Sequence, residues 1–513
     1  MHNSNRSMLV AAMFLTATVH GASAEQIPHQ ATAMSVGSIC ATATRSYGAV
    51  SSGAYQLRGR SRFHGTDQQF EMTYDSELRF KMSQTSDRRE SNGYDGAACW
   101  IDDLSGVPHI QFRQDRDVSR LTCWVMTGVW ADRRAHLTMR VLRTNSDGIV
   151  LYIEPRDGVL SAELSLDPST CLPTSLTYQT GAGTVRWIYS DYRVFDGRKL
   201  PTHIVSRTGA QDDTIDLTDE SAASEKGSTF RAPSATAPIW GASASNTVEV
   251  NTRFGLLLVH PTVNGQDVGW FILDTGADRM CIDPQIAGKL KLSTFGRDTT
   301  AGAVGVAEMA LFKSDSFQLG PLVIKFPVFY GLPLAEISKV FGVTLAGVCG
   351  YDFIAQAALD IYPHEGRMQI LKPGQARLPR NVNWTRMRFH SNVPLVECGF
   401  APDHTGLFTI DTGSNSTVDF CTPTVSRYRM LEGRKTESAG TMGAGGTAES
   451  LSGSLEWFDM CGLRFDNPTV IFQKSKVGTL ADPLRDGNVG MGFMMSSRIV
   501  LDYSNYRIAF VGS

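Results

Sequence analysis

Two copies of the triplet Asp-Thr-Gly, each directly after an apolar run, constrain the fold of this chain more than any other feature. Residues 270–277 read WFILDTGA, and residues 407–414 read LFTIDTGS. A buried strand that ends in Asp delivers a carboxylate to the end of a rigid element, and the glycine permits a sharp turn there. The two aspartates, Asp274 and Asp411, are 137 positions apart (411 − 274). We therefore expect two equivalent strands that each present a carboxyl group.

The features downstream of each triplet also repeat in the same order. They are a glycine-rich loop (301–305 and 440–446), an apolar step that includes glycine (347–353 and 487–493) and a closing β-run (359–362 and 501–503). Repetition of several features at matched offsets indicates an internal duplication. We predict two halves, residues 247–380 and residues 381–513.

Composition excludes several classes of function. The chain has 513 residues, which favours about three domains, and its net charge of −3 gives no sign of a nucleic-acid partner. Nine cysteines include no C-x-x-C pair, and eleven histidines show no ligand spacing. We therefore expect no metal and no cofactor. An odd number of cysteines leaves at least one thiol free or paired between chains, and the sequence does not reveal the pairing.

The first 24 residues are typical of a secretory signal peptide. Arg6 precedes an apolar run at 8–19, and Ala22-Ser23-Ala24 provides small residues before a cleavage site. The run is shorter than the ~20 residues that span a bilayer as a helix. An N-terminal membrane anchor is the alternative. We expect a periplasmic or secreted protein, cleaved near Ala24, with no transmembrane span in the mature chain.

The sequence pattern of residues 25–218 is typical of an antiparallel β domain. Phe70, Met72 and Tyr74 alternate with polar residues, as in a strand with one buried face. One stretch, 118–137, is the exception and could form a helix. Residues 219–246 are rich in Ser, Ala and Pro, which is typical of a linker. Together the patterns predict a mainly β protein with two parts, an N-terminal open antiparallel β-barrel-like domain and a C-terminal bilobal all-β unit.

The repeated triplets indicate a chemistry if the two halves pack about a pseudo-twofold axis. Asp274 and Asp411 would then meet, and two carboxyl groups a hydrogen bond apart share one proton because both cannot ionise. Such a pair can take a proton from water while it donates one to a carbonyl oxygen, which suits hydrolysis of a peptide bond without a covalent intermediate.

On these motifs the last 270 or so residues resemble an aspartic protease, with two retropepsin-like halves fused in the pepsin manner. The resemblance implies that Asp274 and Asp411 are the catalytic pair acting on a peptide or protein substrate. It implies supporting roles for the residues around them: Thr275 and Thr412 brace the loops, Gly276 and Gly413 lie along the substrate main chain, Asp278 and Asn415 bind substrate, and Gly302, Gly305, Gly443 and Gly445 belong to flaps.

The sequence departs from that pattern in two ways. Neither glycine-rich loop contains the tyrosine of pepsin-like flaps, and Ala277 follows one triplet where Ser414 follows the other. A hydroxyl that donates to a carboxylate favours its charged form. We therefore hypothesise that Ser414 donates to Asp411, which makes Asp411 the ionised partner and Asp274 the protonated one.

The N-terminal domain resembles the open β-barrels of periplasmic lipoprotein carriers. The resemblance rests on a series of turn motifs that are spread over about 180 residues. That resemblance implies a cradle for a lipid or lipoprotein, and a docking or folding module is an equal alternative. Three other functions remain open: a non-catalytic lipid or lipoprotein carrier, a degenerate protease that binds without cutting, and a zymogen in which residues 25–246 block the cleft. The purely structural interpretation of each Asp-Thr-Gly triplet is a tight turn after a buried strand.

Overall fold

The structure is a computed structural model that describes residues 34–48, 53–86, 89–180, 183–209, 211–223, 230–241, 245–303, 305–443 and 445–512. The predicted signal peptide, residues 1–24, lies outside these ranges. None of the helices in the described ranges is long and apolar enough to cross a membrane. The α-helices are α1 (Val36–Tyr47), α2 (Gln114–Thr127), α3 (Pro284–Lys289), α4 (Ala335–Phe341), α5 (Tyr351–Ile354), α6 (Thr422–Arg427) and α7 (Met491–Met494).

The N-terminal part is built from strands, as its alternating apolar residues predict. They are β1 (Ala54–Phe63), β2 (Thr66–Asp75), β3 (Phe80–Thr85), β4 (Arg89–Tyr94), β5 (Cys99–Asp102), β6 (His109–Ile110), β7 (Leu137–Asn145), β8 (Gly148–Pro155), β9 (Ala162–Leu166), β10 (Pro173–Thr180), β11 (Gly183–Ser190), β12 (Arg193–Phe195), β13 (Arg198–Leu200), β14 (His203–Thr208) and β15 (Gln211–Ala223). Thirteen of them form one sheet in the order β6-β5-β4-β3-β2-β1-β15-β14-β11-β10-β9-β8-β7. The pairing is antiparallel and β6 and β7 stand at its two edges, which confirms the predicted open sheet.

Helix α2 fills the space that this sheet curves around. Its residues Leu121 and Trp124 share one buried cluster with side chains from many of the strands. The cavity left between α2 and strands β3, β11, β14 and β15 measures about 10 Å³, which is about the space that one water molecule needs. The space between α2 and these four strands therefore has no room for an acyl chain unless α2 moves, whereas a pocket of about 540 Å³ lies beside α2 at Leu78, Tyr94 and Trp124.

The structure corrects the predicted boundaries of helices in this part. Residues 36–47, placed in the β region by the sequence, form α1, whose buried residues Ile39, Ala43 and Tyr47 recur every fourth position as on one helical face. The helix expected at 118–137 begins at Gln114 and ends at Thr127, because Gly128 adopts a left-handed conformation (φ 80°) that caps it.

Strand β15 runs five residues into the segment predicted as a linker, since it pairs with β1 as far as Ala223. The polar composition there is misleading because Glu220 is buried. Its carboxylate lies 3.2 Å from the guanidinium of Arg198, which is also buried, and it accepts a hydrogen bond from Tyr74. A buried charge that finds an opposite charge and a hydroxyl donor can belong to a sheet interior.

The C-terminal part begins with short strands and hairpins. They are β16 (Ile239–Trp240), β17 (Thr247–Glu249), β18 (Leu258–Val259), β19 (Thr262–Val263), β20 (Gln266–Asp267), β21 (Trp270–Leu273), β22 (Cys281–Ile282), β23 (Ser293–Ala301), β24 (Val306–Lys313), β25 (Ser316–Leu319), β26 (Leu322–Lys325), β27 (Val328–Gly331), β28 (Leu345–Cys349), β29 (Ala358–Tyr362) and β30 (Arg367–Leu371). We call residues 258–354 the first lobe.

The remaining strands are β31 (Thr385–Arg386), β32 (Arg388–His390), β33 (Val393–Phe400), β34 (His404–Asp411), β35 (Val418–Phe420), β36 (Glu437–Gly443), β37 (Gly446–Ser454), β38 (Trp457–Met460), β39 (Leu463–Asp466), β40 (Thr469–Gln473), β41 (Gly487–Gly490), β42 (Arg498–Asp502) and β43 (Arg507–Val511). We call residues 393–494 the second lobe. The order β18-β21-β28-β22-β27-β24-β23 in the first lobe corresponds to β33-β34-β41-β35-β40-β37-β36 in the second. A six-stranded sheet, in which β29 pairs with β42, joins the chain segments that follow the two lobes.

The loop after β5 docks the N-terminal sheet onto both lobes. Leu104 is buried in an apolar cluster with first-lobe residues, and Val107 lies in the core that both lobes share. Two histidines add bridges across this interface. His390 lies 3.2 Å from both Asp115 and Asp482, and His64 lies 3.5 Å from Glu90 and 3.4 Å from Asp298.

These bridges predict that the folded protein loses stability at alkaline pH. Burial favours the neutral forms, but the flanking carboxylates raise the pKa of His390 to about 9 and that of His64 to about 10. Because both values lie above the ordinary 6.5, the stabilisation is fully present below pH 6.5 and is lost as pH rises through 9 and 10. Thermal unfolding followed by circular dichroism from pH 6 to 10.5 measures the loss. The double variant His64→Gln/His390→Gln should flatten the dependence, and an equal slope in both proteins would contradict the assignment.

Candidate active site

The two predicted carboxylates end two matched strands. Asp274 follows β21, which runs parallel to β28, and Asp411 ends β34, which runs parallel to β41. The side chains before each aspartate, such as Leu273 and Ile410, are buried. Because these strands are buried, the chain turns at a fixed point after each of them, and the two Asp-Thr-Gly loops meet between the lobes.

The two threonines hold these loops together by four hydrogen bonds. The Thr275 amide donates to Thr412 Oγ1 at 3.0 Å, and the Thr412 amide donates to Thr275 Oγ1 at 2.9 Å. Each hydroxyl then donates across to the other lobe, to the carbonyl oxygens of Ile410 (2.6 Å) and Leu273 (2.7 Å). Both threonines are almost fully buried, so this network is rigid and couples the two lobes.

The carboxyl groups of Asp274 and Asp411 are in hydrogen-bond contact with each other. The Gly276 amide donates to Asp274 Oδ1 at 2.7 Å, and the Gly413 amide donates to Asp411 Oδ1 at 2.9 Å. A Cβ atom on Gly276 would lie 2.5 Å from the carboxyl carbon of Asp411. Only glycine therefore permits this approach, and the same holds for Gly413 against Asp274.

The pair is asymmetric in its ionisation. Burial, the Asp411 charge and the hydrogen bond between the carboxyl groups raise the pKa of Asp274 well above its ordinary range. Burial also raises the pKa of Asp411, but hydrogen bonds from Asn488, Asp274 and backbone amides counteract part of that rise. Asp274 therefore holds the shared proton and Asp411 carries the charge.

The donor that produces this asymmetry is Asn488, which the sequence analysis missed. Its Nδ2 donates to Asp411 Oδ2 at 2.7 Å. The hypothesis that Ser414 supplies this bond was wrong, because both described hydrogen bonds of its Oγ are to Ser416, to Oγ at 2.9 Å and from the amide at 3.3 Å. The corresponding position of the first lobe is Val348, which has no polar group to offer Asp274. A comparison of the aligned segments 347–350 and 487–490 could have revealed this difference.

A cleft of about 370 Å³ opens above the carboxyl pair, within the usual size for a ligand site. Its lining includes nine of the predicted residues: Asp274, Asp411, Gly276, Gly413, Ser414, Asp278, Asn415, Gly302 and Gly443. Thr275 and Thr412 lie beneath it. The lining residues all lie between 256 and 488, so no described residue of the N-terminal part enters the cleft.

The two glycine-rich loops are the tips of two β-hairpins, β23–β24 and β36–β37, that meet each other. Gly302 and Gly443 line the cleft, whereas Gly305 and Gly445 make the contact between the tips. A Cβ atom on Gly305 would lie only 2.7 Å from the carbonyl oxygen of Gly445. Val304 and Ala444 lie outside the described residues. The hairpins therefore cover the cleft in this structure.

Asp103, from the loop after β5, supports the first Asp-Thr-Gly loop from below. Its carboxylate lies 2.9 Å from the guanidinium of Arg279 and accepts a 2.7 Å hydrogen bond from Asn392, which belongs to the segment entering the second lobe. Burial opposes ionisation of Asp103, but the Arg279 charge brings its pKa below the ordinary range. One carboxylate of the N-terminal part thus contacts both sides of the site.

Other acidic residues near the site have structural partners. Asp352 Oδ2 accepts a hydrogen bond from the Met280 amide at 2.7 Å, and Asp360 pairs with Arg498 at 2.7 Å. All nine cysteines are free thiols, and most of them are buried. Within the described ranges no group of three or more His, Cys, Asp or Glu side chains could hold a metal ion.

Comparisons with known proteins give two kinds of similarity. A LolA superfamily protein from Nitrosomonas europaea is 16% identical, with a TM-score of 0.30 over 39% of this chain and 99% of its own. A DUF1329 family protein from Desulfovibrio piger is 10% identical, with a TM-score of 0.29 over 38% of this chain and 95% of its own. Comparison with curated proteins found no significant match. Residues 259–353, which include the first Asp-Thr-Gly triplet, match the sequence model of the aspartyl protease family.

Proposed function

We propose that this protein is an aspartic endopeptidase whose catalytic pair is Asp274 and Asp411. One observation carries the proposal: two partly buried carboxyl groups interact with each other at the floor of a cleft between two lobes of the same strand order. A structural turn needs neither a partner carboxylate nor a cleft above it, and placing two carboxyl groups against each other costs stability.

In the proposed reaction, the ionised Asp411 takes a proton from a water molecule held between the carboxyl groups. The water oxygen attacks the carbonyl carbon of the scissile bond while protonated Asp274 donates its proton to the carbonyl oxygen. Asp411 then passes the proton it took to the leaving nitrogen, Asp274 takes a proton back from the tetrahedral diol, and the C–N bond breaks to give the amine and the carboxylic acid. Asp278 and Asn415 would bind the substrate main chain, and the two hairpin tips would exclude bulk water.

We also propose that residues 247–513 are two fused retropepsin-like halves. The matched strand order and the crossed threonine hydrogen bonds support this interpretation. Each lobe then contributes one aspartate, one glycine of the substrate path and one covering hairpin. Such a unit is complete in one chain, and it needs no second copy to form the pair.

Cleavage of a mixed peptide library at pH 3–8, read by mass spectrometry, tests the function. We expect endoproteolytic products that disappear when a statine-type inhibitor, which mimics the tetrahedral intermediate, is added. No cleavage at any pH would reject the proposal and leave a binding protein. Cleavage that the inhibitor does not affect would reject the carboxylate mechanism.

The contact between Asn488 and Asp411 predicts a shift in the pH–rate profile. In Asn488→Val, which copies the first-lobe residue, the charged form of Asp411 loses a donor, so its pKa rises. The acidic limb of kcat/KM should move up by about one pH unit, since a hydrogen bond to a charged group contributes about 1.5–3 kcal/mol. Ser414→Ala is the matched control and should leave the limb in place. A limb that moves in Ser414→Ala but not in Asn488→Val would reverse the assignment.

For the N-terminal part we propose a docking module, in a protein that is periplasmic or secreted. The docked loop that carries Leu104 and Asp103 supports this role. A carrier that held an acyl chain between α2 and strands β3, β11, β14 and β15 would require the helix to move, because the cavity there is about 10 Å³. Mass spectrometry of organic extracts from the purified protein checks that alternative, and a stoichiometric acyl ligand would favour it.

A further inference from the structure

The two walls of the cleft differ in polarity at positions that the fold makes equivalent. On the first lobe, β28 lies between β21 and β22, and its Val348 pairs with Ile272 on one side and Cys281 on the other. On the second lobe, β41 lies between β34 and β35, and its Asn488 pairs with Thr409 and with Asp419. All six residues line the cleft. The first lobe therefore presents an apolar trio and the second lobe a polar trio in the same register.

Further residues of the two walls differ in polarity in the same way, apart from Asp278, Arg279 and Tyr330 on the first lobe and Leu480 on the second. The first-lobe wall continues with Ile337, Val340 and Phe341 from α4, and Val340 is 72% exposed. The second-lobe wall continues with Arg485, whose guanidinium donates to Thr409 Oγ1 at 3.3 Å. An exposed aliphatic side chain at the mouth of a cleft is available to pack against a bound apolar group.

The polar wall carries both signs of charge, and its groups already have partners. Asp419 accepts hydrogen bonds from Gln473 (2.9 Å) and from Ser416, and burial raises its pKa to about 6. Arg485 pairs with Asp482 at 3.1 Å. Because a negative and a positive group stand side by side, the wall favours a neutral side chain that both donates and accepts hydrogen bonds over one with a net charge.

From this asymmetry we propose that the protease cleaves between an apolar residue and an uncharged polar residue, with the apolar side chain on the first lobe and the polar side chain on the second. This inference rests on the proposed function. An extended peptide whose scissile bond lies over the carboxyl pair presents its two flanking residues to opposite lobes. The Asn488 Nδ2 group already donates to Asp411, so an aliphatic side chain against Asn488 would cover its amide oxygen without offering it a hydrogen bond, whereas an Asn, Gln, Ser or Thr side chain can donate to it.

The test is a cleavage-site profile of the full-length protein on a proteome-derived peptide library, together with the reciprocal variants Thr409→Ile and Ile272→Thr. In the wild type, one position beside the scissile bond should favour Leu, Ile, Val or Phe, and the other should favour Asn, Gln, Ser or Thr, each by about tenfold. Thr409→Ile should admit aliphatic residues at the polar position, and Ile272→Thr should weaken the preference at the apolar position only.

The wild-type profile decides the proposal even if a variant fails to fold. Apolar residues favoured on both sides of the bond would overturn the subsite assignment and leave the protease function standing. An acidic or basic preference at the second position would overturn it as well. Absence of any cleavage would instead reject the protease function, and the subsites with it.

Discussion

Replacement of either Asp274 or Asp411 by asparagine is expected to abolish peptide cleavage, with a loss in kcat of at least about 10³-fold. General acid–base catalysis by one positioned group contributes about 10²–10⁴-fold, and here each carboxyl group is needed for the other to share the proton. Asparagine has the same shape and keeps an oxygen for the Gly276 or Gly413 amide. Both variants should therefore fold, which circular dichroism and the thermal midpoint will verify.

Two surface aspartates provide matched controls for this experiment. Asp267 in the first lobe and Asp466 in the second have side chains that are 69% and 72% exposed, and neither lines the cleft. Asp267→Asn and Asp466→Asn should retain wild-type kcat/KM. If only one of the two dyad substitutions removes activity, the single-chain pair is wrong, and a dimer that uses one lobe from each copy becomes the explanation.

Removal of the Asp103 carboxylate is expected to destabilise the protein by about 3–5 kcal/mol. Asp103→Ala leaves the Arg279 guanidinium mostly buried without its counter-charge, and breaking a buried pair from one side carries a cost of that size. Urea unfolding measures the change through the midpoint, provided that the slope stays constant. Because Arg279 directly follows Asp278, kcat/KM should fall as well. The double variant Asp103→Ala/Arg279→Met removes both charges and should regain much of the stability.

Proteolytic cleavage between Ser234 and Ala235, in an exposed segment, distinguishes the proposed docking role of the N-terminal part from the zymogen alternative. A specific protease site placed there should leave the N-terminal part bound after cleavage, because Leu104 and Val107 are buried among residues of the lobes. Activity should stay unchanged, since no described residue of that part lines the cleft. Release of the N-terminal fragment with a gain in activity would establish the zymogen.

Much of the candidate site follows from local sequence. The Asp-Thr-Gly loops, their threonines and the glycine-rich hairpin tips each depend on residues close together in the chain. An apolar run before Asp predicts a buried strand, and glycine after Thr predicts the turn. These patterns predicted that Asp274 and Asp411 would lie close together, as they do in the structure, and they also predicted the open sheet of the N-terminal part.

Long-range packing determined the features that sequence patterns missed. Helix α1 lies in a segment predicted as part of the β domain, and the extension of β15 to Ala223 lies in a segment whose polar composition is typical of a linker. Glu220 can lie inside the sheet only because Arg198, 22 residues earlier, comes within 3.2 Å. Local propensity carries no information about such a partner, so tertiary contacts override it.

The sequence by itself determined the chemistry that this protein can offer: two carboxylates on matched strands, each with a bracing threonine and a glycine. Only the tertiary structure decided how those carboxylates differ and what holds them in place. Asn488 reaches Asp411 because β41 runs parallel to β34, and Asp103 reaches Arg279 because a loop of the N-terminal part docks beneath the site. Hydrogen bonds and ion pairs depend on distance in space, and residues 77 and 176 positions apart become neighbours only when the whole chain has folded.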